Sequence, residues 1–308
     1  MLRKITDAIG NTPLVEVLKK ESTSTRLYLK LESWNPGGSI KDRVAFRMID
    51  QSEKIGLITP GMELVEATSG NTGLGIAWIG KLRGYSVTIV THDKISKEKL
   101  ALMRHYGANV IIANSEAKLG TKSHFKSIAE SYASEKGRFY LDQFSSPYNV
   151  EAHYFSTAPE IYNQTKGYID LIVCGIGSGG TITGISKFFK ERNPEIKIIA
   201  SDPVGSIYHS DKYKTKYEPS TWITEGIGSN FIPAVYESDS VDEIYKVTDE
   251  EAIYNCNYIR NTDGIDIGLS SGANISVARN FIKEGKFKNI LCICPDAGER
   301  YISKTSSF

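Results

Sequence analysis

The sequence predicts an α/β protein built as two doubly wound domains. Two observations carry this. Short apolar runs of five or six residues alternate with segments of helical period, the pattern of βαβ units and a parallel sheet. Glycine- and hydroxyl-rich turns also stand at several points where such strands pass into helices. A length of 308 residues is enough for two separate cores.

Taken in order, a strand at 27–31 leads through a glycine turn to a helix opening near Lys41. Ser39 and Asp42 form a capping-box-like pair at its start, and Ala45, Met48, Ile49 and Ser52 recur on one face. Strands at 62–67, 85–90, 109–113 and 139–143 then alternate with helices at 74–82, 97–106 and 121–135. The pattern repeats with a strand at 169–174, a helix at 183–190 and a strand at 196–201. Residues 205–221, rich in Tyr, Lys and Ser, read as a flap or a plain surface loop. A strand at 243–247 leads to a helix whose capping box is Thr248 and Glu251. A strand at 265–269, a helix at 273–282 and a strand at 290–294 complete the set. A boundary near 145–149 divides the chain into a smaller domain, 42–147, and a larger one formed by 1–41 and 148–308.

Composition narrows the partners. A formal charge of +1 gives no reason to expect nucleic acid or an anionic membrane, and no apolar run approaches the length of a membrane span. No signal-peptide core opens the chain, so a cytoplasmic location is expected. Cys174, Cys256, Cys292 and Cys294 lack zinc spacing and read as buried reduced thiols. The five histidines form no cluster, so no metal site is expected.

Lys41, in Asn35-Pro36-Gly37-Gly38-Ser39-Ile40-Lys41-Asp42-Arg43, is the residue with the sharpest chemistry. In the first turn of a helix, the dipole and any burial both disfavour the ammonium. An amine made neutral near pH 7 suits a Schiff base with a carbonyl cofactor; the alternative for any single lysine is a solvated surface position. Three turns bear on that choice. Thr68-Ser69-Gly70-Asn71-Thr72-Gly73 gathers more polar side chains than a helix cap needs and suits a carboxylate or phosphate. Gly175-Ile176-Gly177-Ser178-Gly179-Gly180-Thr181 matches G-x-G-x-x-G, and Asp202 ends the next strand where a ribose-binding acid stands in a dinucleotide site. Its extra glycines and hydroxyls also suit a terminal phosphate monoester. Gly268-Leu269-Ser270-Ser271-Gly272-Ala273 is, alone, a helix cap.

In combination these motifs resemble the cysteine synthase and cystathionine β-synthase family of pyridoxal-phosphate enzymes, of fold type II, tryptophan-synthase-β-like. The resemblance runs from Gly10-Asn11-Thr12-Pro13-Leu14-Val15 to Pro295-Asp296-Ala297-Gly298-Glu299-Arg300. It implies that Lys41 carries pyridoxal 5'-phosphate covalently and then acts as base at the substrate Cα. Asn71 contacts the cofactor's phenolic oxygen, while Gly177, Ser178, Gly179, Gly180 and Thr181 hold its phosphate. Thr68, Ser69, Thr72 and Gln143 clamp the substrate carboxylate, and Ser270 partners the pyridine nitrogen. The implied reaction is β-replacement or β-elimination on cysteine, O-acetylserine or serine through α-aminoacrylate, with a thiol or sulfide as second substrate, in a homodimer. Ala152-His153-Tyr154, Asp202 to Ile207 and Gly226 to Pro233 are more similar to cystathionine β-synthase. Asn35-Pro36-Gly37-Gly38 and Gly298-Glu299-Arg300-Tyr301 are more similar to cysteine synthase. Ala67 replaces a usual proline. Asn230 stands where relatives often carry Asp, so a catalytic part for it would differ from theirs; an acid activating water there implies conversion of cysteine to serine and hydrogen sulfide. Two other readings are an NAD-dependent oxidoreductase using Gly175–Gly180 with Asp202, and a cofactor-free interaction subunit. Lys41, Asn71 and Ser270 together argue against the second.

Overall fold

A computed structural model describes residues 2–19 and 24–305. Two sheets organise them. The first has six strands in the order β1-β2-β10-β7-β8-β9, comprising β1 (Leu14–Val17), β2 (Arg26–Leu31), β7 (Leu171–Val173), β8 (Lys197–Pro203), β9 (Glu243–Val247) and β10 (Asn289–Cys294). All its pairings are parallel except β1 with β2. The second is a parallel sheet in the order β5-β4-β3-β6, from β3 (Glu63–Ala67), β4 (Ser86–His92), β5 (Asn109–Ala113) and β6 (Arg138–Tyr140).

Helices cover both faces of each sheet, as parallel strands buried on two sides require. Around the four-stranded sheet lie α1 (Lys41–Lys54), α2 (Asn71–Leu82), α3 (Lys97–His105) and α4 (Phe125–Ala133). The stripe read from the sequence is real: Ala45, Met48 and Ile49 are fully buried with Leu64, Ile76 and Ile79. The six-stranded sheet is flanked by α5 (Pro147–Ala152), α6 (Ala158–Thr165), α7 (Gly180–Lys190), α9 (Asp249–Asp263) and α10 (Leu269–Glu284), with the short α8 (Tyr208–Tyr213) inside the expected flap. The Thr248–Glu251 capping box forms at the start of α9.

Two expectations are corrected, and one helical stretch is new. Residues 265–268 are an unpaired connector between α9 and α10, although Ile267 is buried. The adjacent strand β10 is already paired on both sides, by β2 and β7, so no ladder is open to them. Ser39 and Asp42 form no capping box. Ile40 is the N-cap, Ser39 Oγ accepts from Lys41 N at 3.2 Å, and the Asp42 carboxylate turns back to Gly37 N at 2.6 Å. Residues 147–165, between β6 and β7, are helical throughout, through α5, a π-helical turn at His153–Thr157 and α6.

Candidate active site

Strands β3, β7 and β10 all end at one cavity of about 620 Å³, at the carboxyl edges where open parallel sheets place their ligands. Lys41 reaches it from the first position of α1. Burial lowers the Lys41 pKa to about 8, because the ammonium loses its water. Cys174 beside it could oppose that only as a thiolate, and burial pushes its thiol up to about 12.

The turn after β3 brings Thr68, Ser69, Asn71 and Thr72 to the cavity wall. Thr68 Oγ1 accepts from Gly70 N at 3.0 Å, which fixes the turn. Thr72 donates to Gln143 Oε1 at 2.6 Å, and Gln143 Nε2 donates to Ala67 O at 3.1 Å. Two of the expected clamp residues, from α2 and from the chain after β6, are therefore joined directly. Beneath them lies Glu66, fully buried, whose Oε1 accepts from Gln143 N at 3.3 Å. Burial holds its carboxyl well above the usual range, and it braces the backbone of Gln143. Asn71 donates to Asp296 Oδ2 at 2.6 Å and accepts from Arg300 Nη1 at 2.7 Å.

The turn after β7 presents Gly177, Ser178, Gly179 and Thr181, while Gly180 lies behind it as the first residue of α7. Its glycines are demanded by packing. A Cβ at Gly177 would stand 2.4 Å from Gly226 O, one at Gly180 would stand 2.2 Å from Asn149 Oδ1, and Gly179 has φ +93°. Asn149 Nδ2 donates to Ser178 Oγ at 2.9 Å and to Gln143 O at 2.7 Å, linking the second turn to Gln143. Thr181 Oγ1 bonds His153 Nε2 at 3.1 Å, and His153 Nδ1 bonds Thr157 Oγ1 at 3.0 Å. Burial, with Lys41 and Arg43 nearby, holds the His153 pKa well below its ordinary value, so the ring is neutral. The π-helical turn aims it at the loop, a frequent use of such irregularities.

Ser270, only 1% exposed, meets the cavity from the first turn of α10. Asn230 is exposed at the cavity edge. Its loop is tied to the second turn by Gly228 N to Ile176 O at 2.7 Å, and to the flap segment by Ile207 N to Ser229 O at 2.9 Å. All the expected side-chain contributors thus converge on one cavity.

Asn149, His153, Glu66, Asp296 and Arg300 were not assigned roles from the sequence. Asn149 and His153 sit in the helical stretch missed between two strands. Glu66 carries one signal, an acid inside an otherwise apolar strand run. Asp202 does not serve a ribose: it is fully buried, with Oδ2 accepting from His209 N at 3.0 Å at the start of α8.

The donor set fits a cofactor bearing a carbonyl and a phosphate monoester. One wall offers an amine that deprotonates near pH 8. Another offers Ser178, Thr181 and the free amides that open α7, on glycines that admit close backbone approach.

The comparisons with known proteins agree. A profile described as "Pyridoxal-phosphate dependent enzyme" matches residues 5–296. The chain is 39% identical over 305 residues to a cystathionine beta-synthase of Apis mellifera, covering 97% of this chain and 60% of that protein. It is 39% identical over 304 residues to a cysteine synthase of Buchnera aphidicola, covering 96% of this chain and 92% of that one. A crystal structure of a hydrogen sulfide-producing enzyme from Fusobacterium nucleatum superposes with a TM-score of 0.90 at 36% identity, covering 98% of this chain and all of the other. Profile, sequence relatives and cavity concur: the chain belongs to the family of pyridoxal-phosphate dependent enzymes.

Proposed function

We propose that this enzyme replaces or eliminates the β-substituent of an L-amino acid such as O-acetylserine, serine or cysteine, in sulfur amino-acid metabolism. The observation that carries this reading is Lys41, a lysine with its pKa lowered to about 8, in one cavity with the hydroxyl- and amide-bearing turn after β3 and the glycine-rich turn after β7. In this reading Gly177, Ser178, Gly179, Gly180 and Thr181 hold the phosphate and Asn71 contacts the ring. When bound, pyridoxal phosphate supplies an electron sink that stabilises negative charge at the substrate Cα. The protein supplies position and protons. Thr68, Ser69, Thr72 and Gln143 hold the substrate carboxylate, which orients its Cα hydrogen toward Lys41. The Lys41 amine, once free, removes that proton, a task suited to a base with a pKa near the working pH. Ser270 offers a neutral hydroxyl to the ring nitrogen, so no carboxylate there enforces its protonation.

Asn230 faces the side from which the second substrate arrives. An amide there can orient a thiol or water by hydrogen bonding, but it cannot take a proton as Asp would. Residues 42–147 act as the domain carrying the donor clamp, and 1–41 with 148–308 as the domain carrying the phosphate loop. The assembly this reading implies is a cytoplasmic homodimer, in keeping with four buried free thiols and with the large apolar side chains of Trp34 and Phe155 left in solvent. A second reading, release of hydrogen sulfide from cysteine with water as acceptor, is favoured by the similarity to the Fusobacterium nucleatum enzyme.

The test is a product assay with O-acetylserine, serine and cysteine, each alone and with sulfide or homocysteine. A thiol adduct formed with release of the donor's β-substituent supports replacement, and serine plus sulfide from cysteine alone supports the second reading. Absence of turnover with every donor contradicts both. In the same assay Asn230→Asp is expected to raise the share of product formed by water; kinetics unchanged by that substitution would remove Asn230 from the second-substrate step.

A further inference from the structure

The turn after β10, residues 295–300, touches three of the segments that converge on the cavity, those of Lys41, Asn71 and Ser270. Pro295 O accepts from Ile40 N at 2.9 Å, and Ser39 pairs with Asp296 in an isolated antiparallel bridge. Arg300 also donates to Gly37 O in that same loop, so the turn is fastened to the start of the helix bearing Lys41. Asp296 O accepts from Gly268 N at 3.0 Å. A Cβ at Gly268 would stand 1.9 Å from Asp296 Oδ1, which packs the carboxylate against the approach to Ser270. Both Asp296 and Arg300 then hold Asn71.

The chemistry of those last bonds determines how the Asn71 amide lies. A guanidinium can only donate, so Arg300 Nη1 must face Asn71 Oδ1, 2.7 Å away. Asp296 Oδ2 accepts, so it faces Asn71 Nδ2, 2.6 Å away. Reversing the amide would set donor against donor and acceptor against acceptor. One N–H of Nδ2 remains, so Asn71 presents a single donor in a set orientation. The two orienting residues are themselves immobilised. Asp296 is 1% exposed and Arg300 4%, and the Tyr301 hydroxyl donates to the same Asp296 oxygen.

We propose that Asp296 and Arg300 are positioning residues that orient Asn71 so that its remaining N–H meets an acceptor on the cofactor ring. They act through Asn71, since neither is among the residues lining the cavity. The proposal rests on the reading of Asn71 as a cofactor contact, and it adds the closing turn of the chain to the machinery of the site.

The experiment is a double-substitution cycle on the full chain loaded with pyridoxal phosphate. The visible absorbance band and the cofactor dissociation constant are read for the unsubstituted chain, Arg300→Lys, Asn71→Ala and the pair. Arg300→Lys keeps the charge but loses the fork that spans Asn71 and Gly37. It is expected to weaken cofactor binding several-fold and to shift the band. In the Asn71→Ala background the same substitution should change binding by less than about twofold, the mark of coupled residues. Equal effects in both backgrounds, or no effect in the first, would overturn the proposal. Asp296→Asn, which replaces the carboxylate facing Asn71 Nδ2 by an amide that can present either a donor or an acceptor, provides the same cycle should Arg300→Lys fail to fold. Failure of the underlying reading looks different: Asn71→Ala alone would then leave band and affinity untouched, and the proposal would fall with its premise.

Discussion

A lysine can be a nucleophile or base near neutrality only if something removes its proton, and at Lys41 that agent is burial. With its pKa lowered to about 8, roughly a tenth of the amine is neutral at pH 7, far more than for a lysine in water. In cofactor-free protein, labelling of Lys41 by an amine-reactive reagent is expected to rise with a midpoint near pH 8; a midpoint near 10.5 would contradict the burial argument. The same shift has a sign for stability. The folded state binds fewer protons than the unfolded one between about pH 8 and 10.5, so stability contributed at this site rises with pH across that window. This residue was legible in the sequence because its neighbours are so unusual. The details around it were less so: Ser39 and Asp42 have the right identities for a capping box, but the Gly37 amide outcompetes the helix for the Asp42 carboxylate. The orientation of Asn71 was not legible at all, because it depends on residues more than two hundred positions away.

At the scale of elements, α1 is held by a buried charge cluster just behind Lys41. Arg43 donates to both oxygens of Glu32, at 2.7 and 2.8 Å, and to Glu160 at 3.0 Å, while Lys30 also bonds Glu160. Burial works against ionising Glu32, yet the Arg43 guanidinium outweighs it and holds the carboxylate below its usual range. Backbone amides of Asn11 and Thr12 close the cluster on Glu160, at 2.8 and 2.7 Å. The cluster therefore fastens the segment before β1, the end of β2, α1 and α6 to one another. Removing one member of such a group leaves a buried charge uncompensated. Arg43→Met is expected to destabilise the protein by about 3–5 kcal/mol, measured by denaturant unfolding; a loss below ~1 kcal/mol would show that the cluster contributes little. No periodicity could reveal this, because its members come from four separate segments. Helix α6 was missed for a related reason: α5, the π-helical turn and α6 follow one another with a shift of register at His153–Thr157, which breaks the helical period. The expected strand at 265–269 failed because an apolar run does not show whether a ladder has room for it.

Across the whole molecule, two sheets of different strand order share one cavity, and the contacts that join them are the ones that assemble the site. Lys99 of α3 donates to Glu225 at 2.8 Å and to the Tyr301 hydroxyl at 2.9 Å, and Lys304 meets Glu225 at 2.6 Å. Asn149 joins Gln143 to Ser178 of the glycine-rich turn. The closing turn joins the loops of Lys41, Asn71 and Ser270. The α/β class and the positions of most strands along the chain were readable from alternating patterns, and the convergence of the three loops followed from the family resemblance. The ties between sheets were not readable, since they are long-range pairs of polar residues with no pattern of their own. The proposed chemistry depends on Lys41 being the residue that carries the cofactor. Borohydride reduction of the pyridoxal-phosphate-loaded protein followed by peptide mapping measures that directly. A single pyridoxyl-modified residue, Lys41, is expected, with loss of the modification and of colour in Lys41→Ala; modification at another lysine, or colour retained in that variant, would contradict that role.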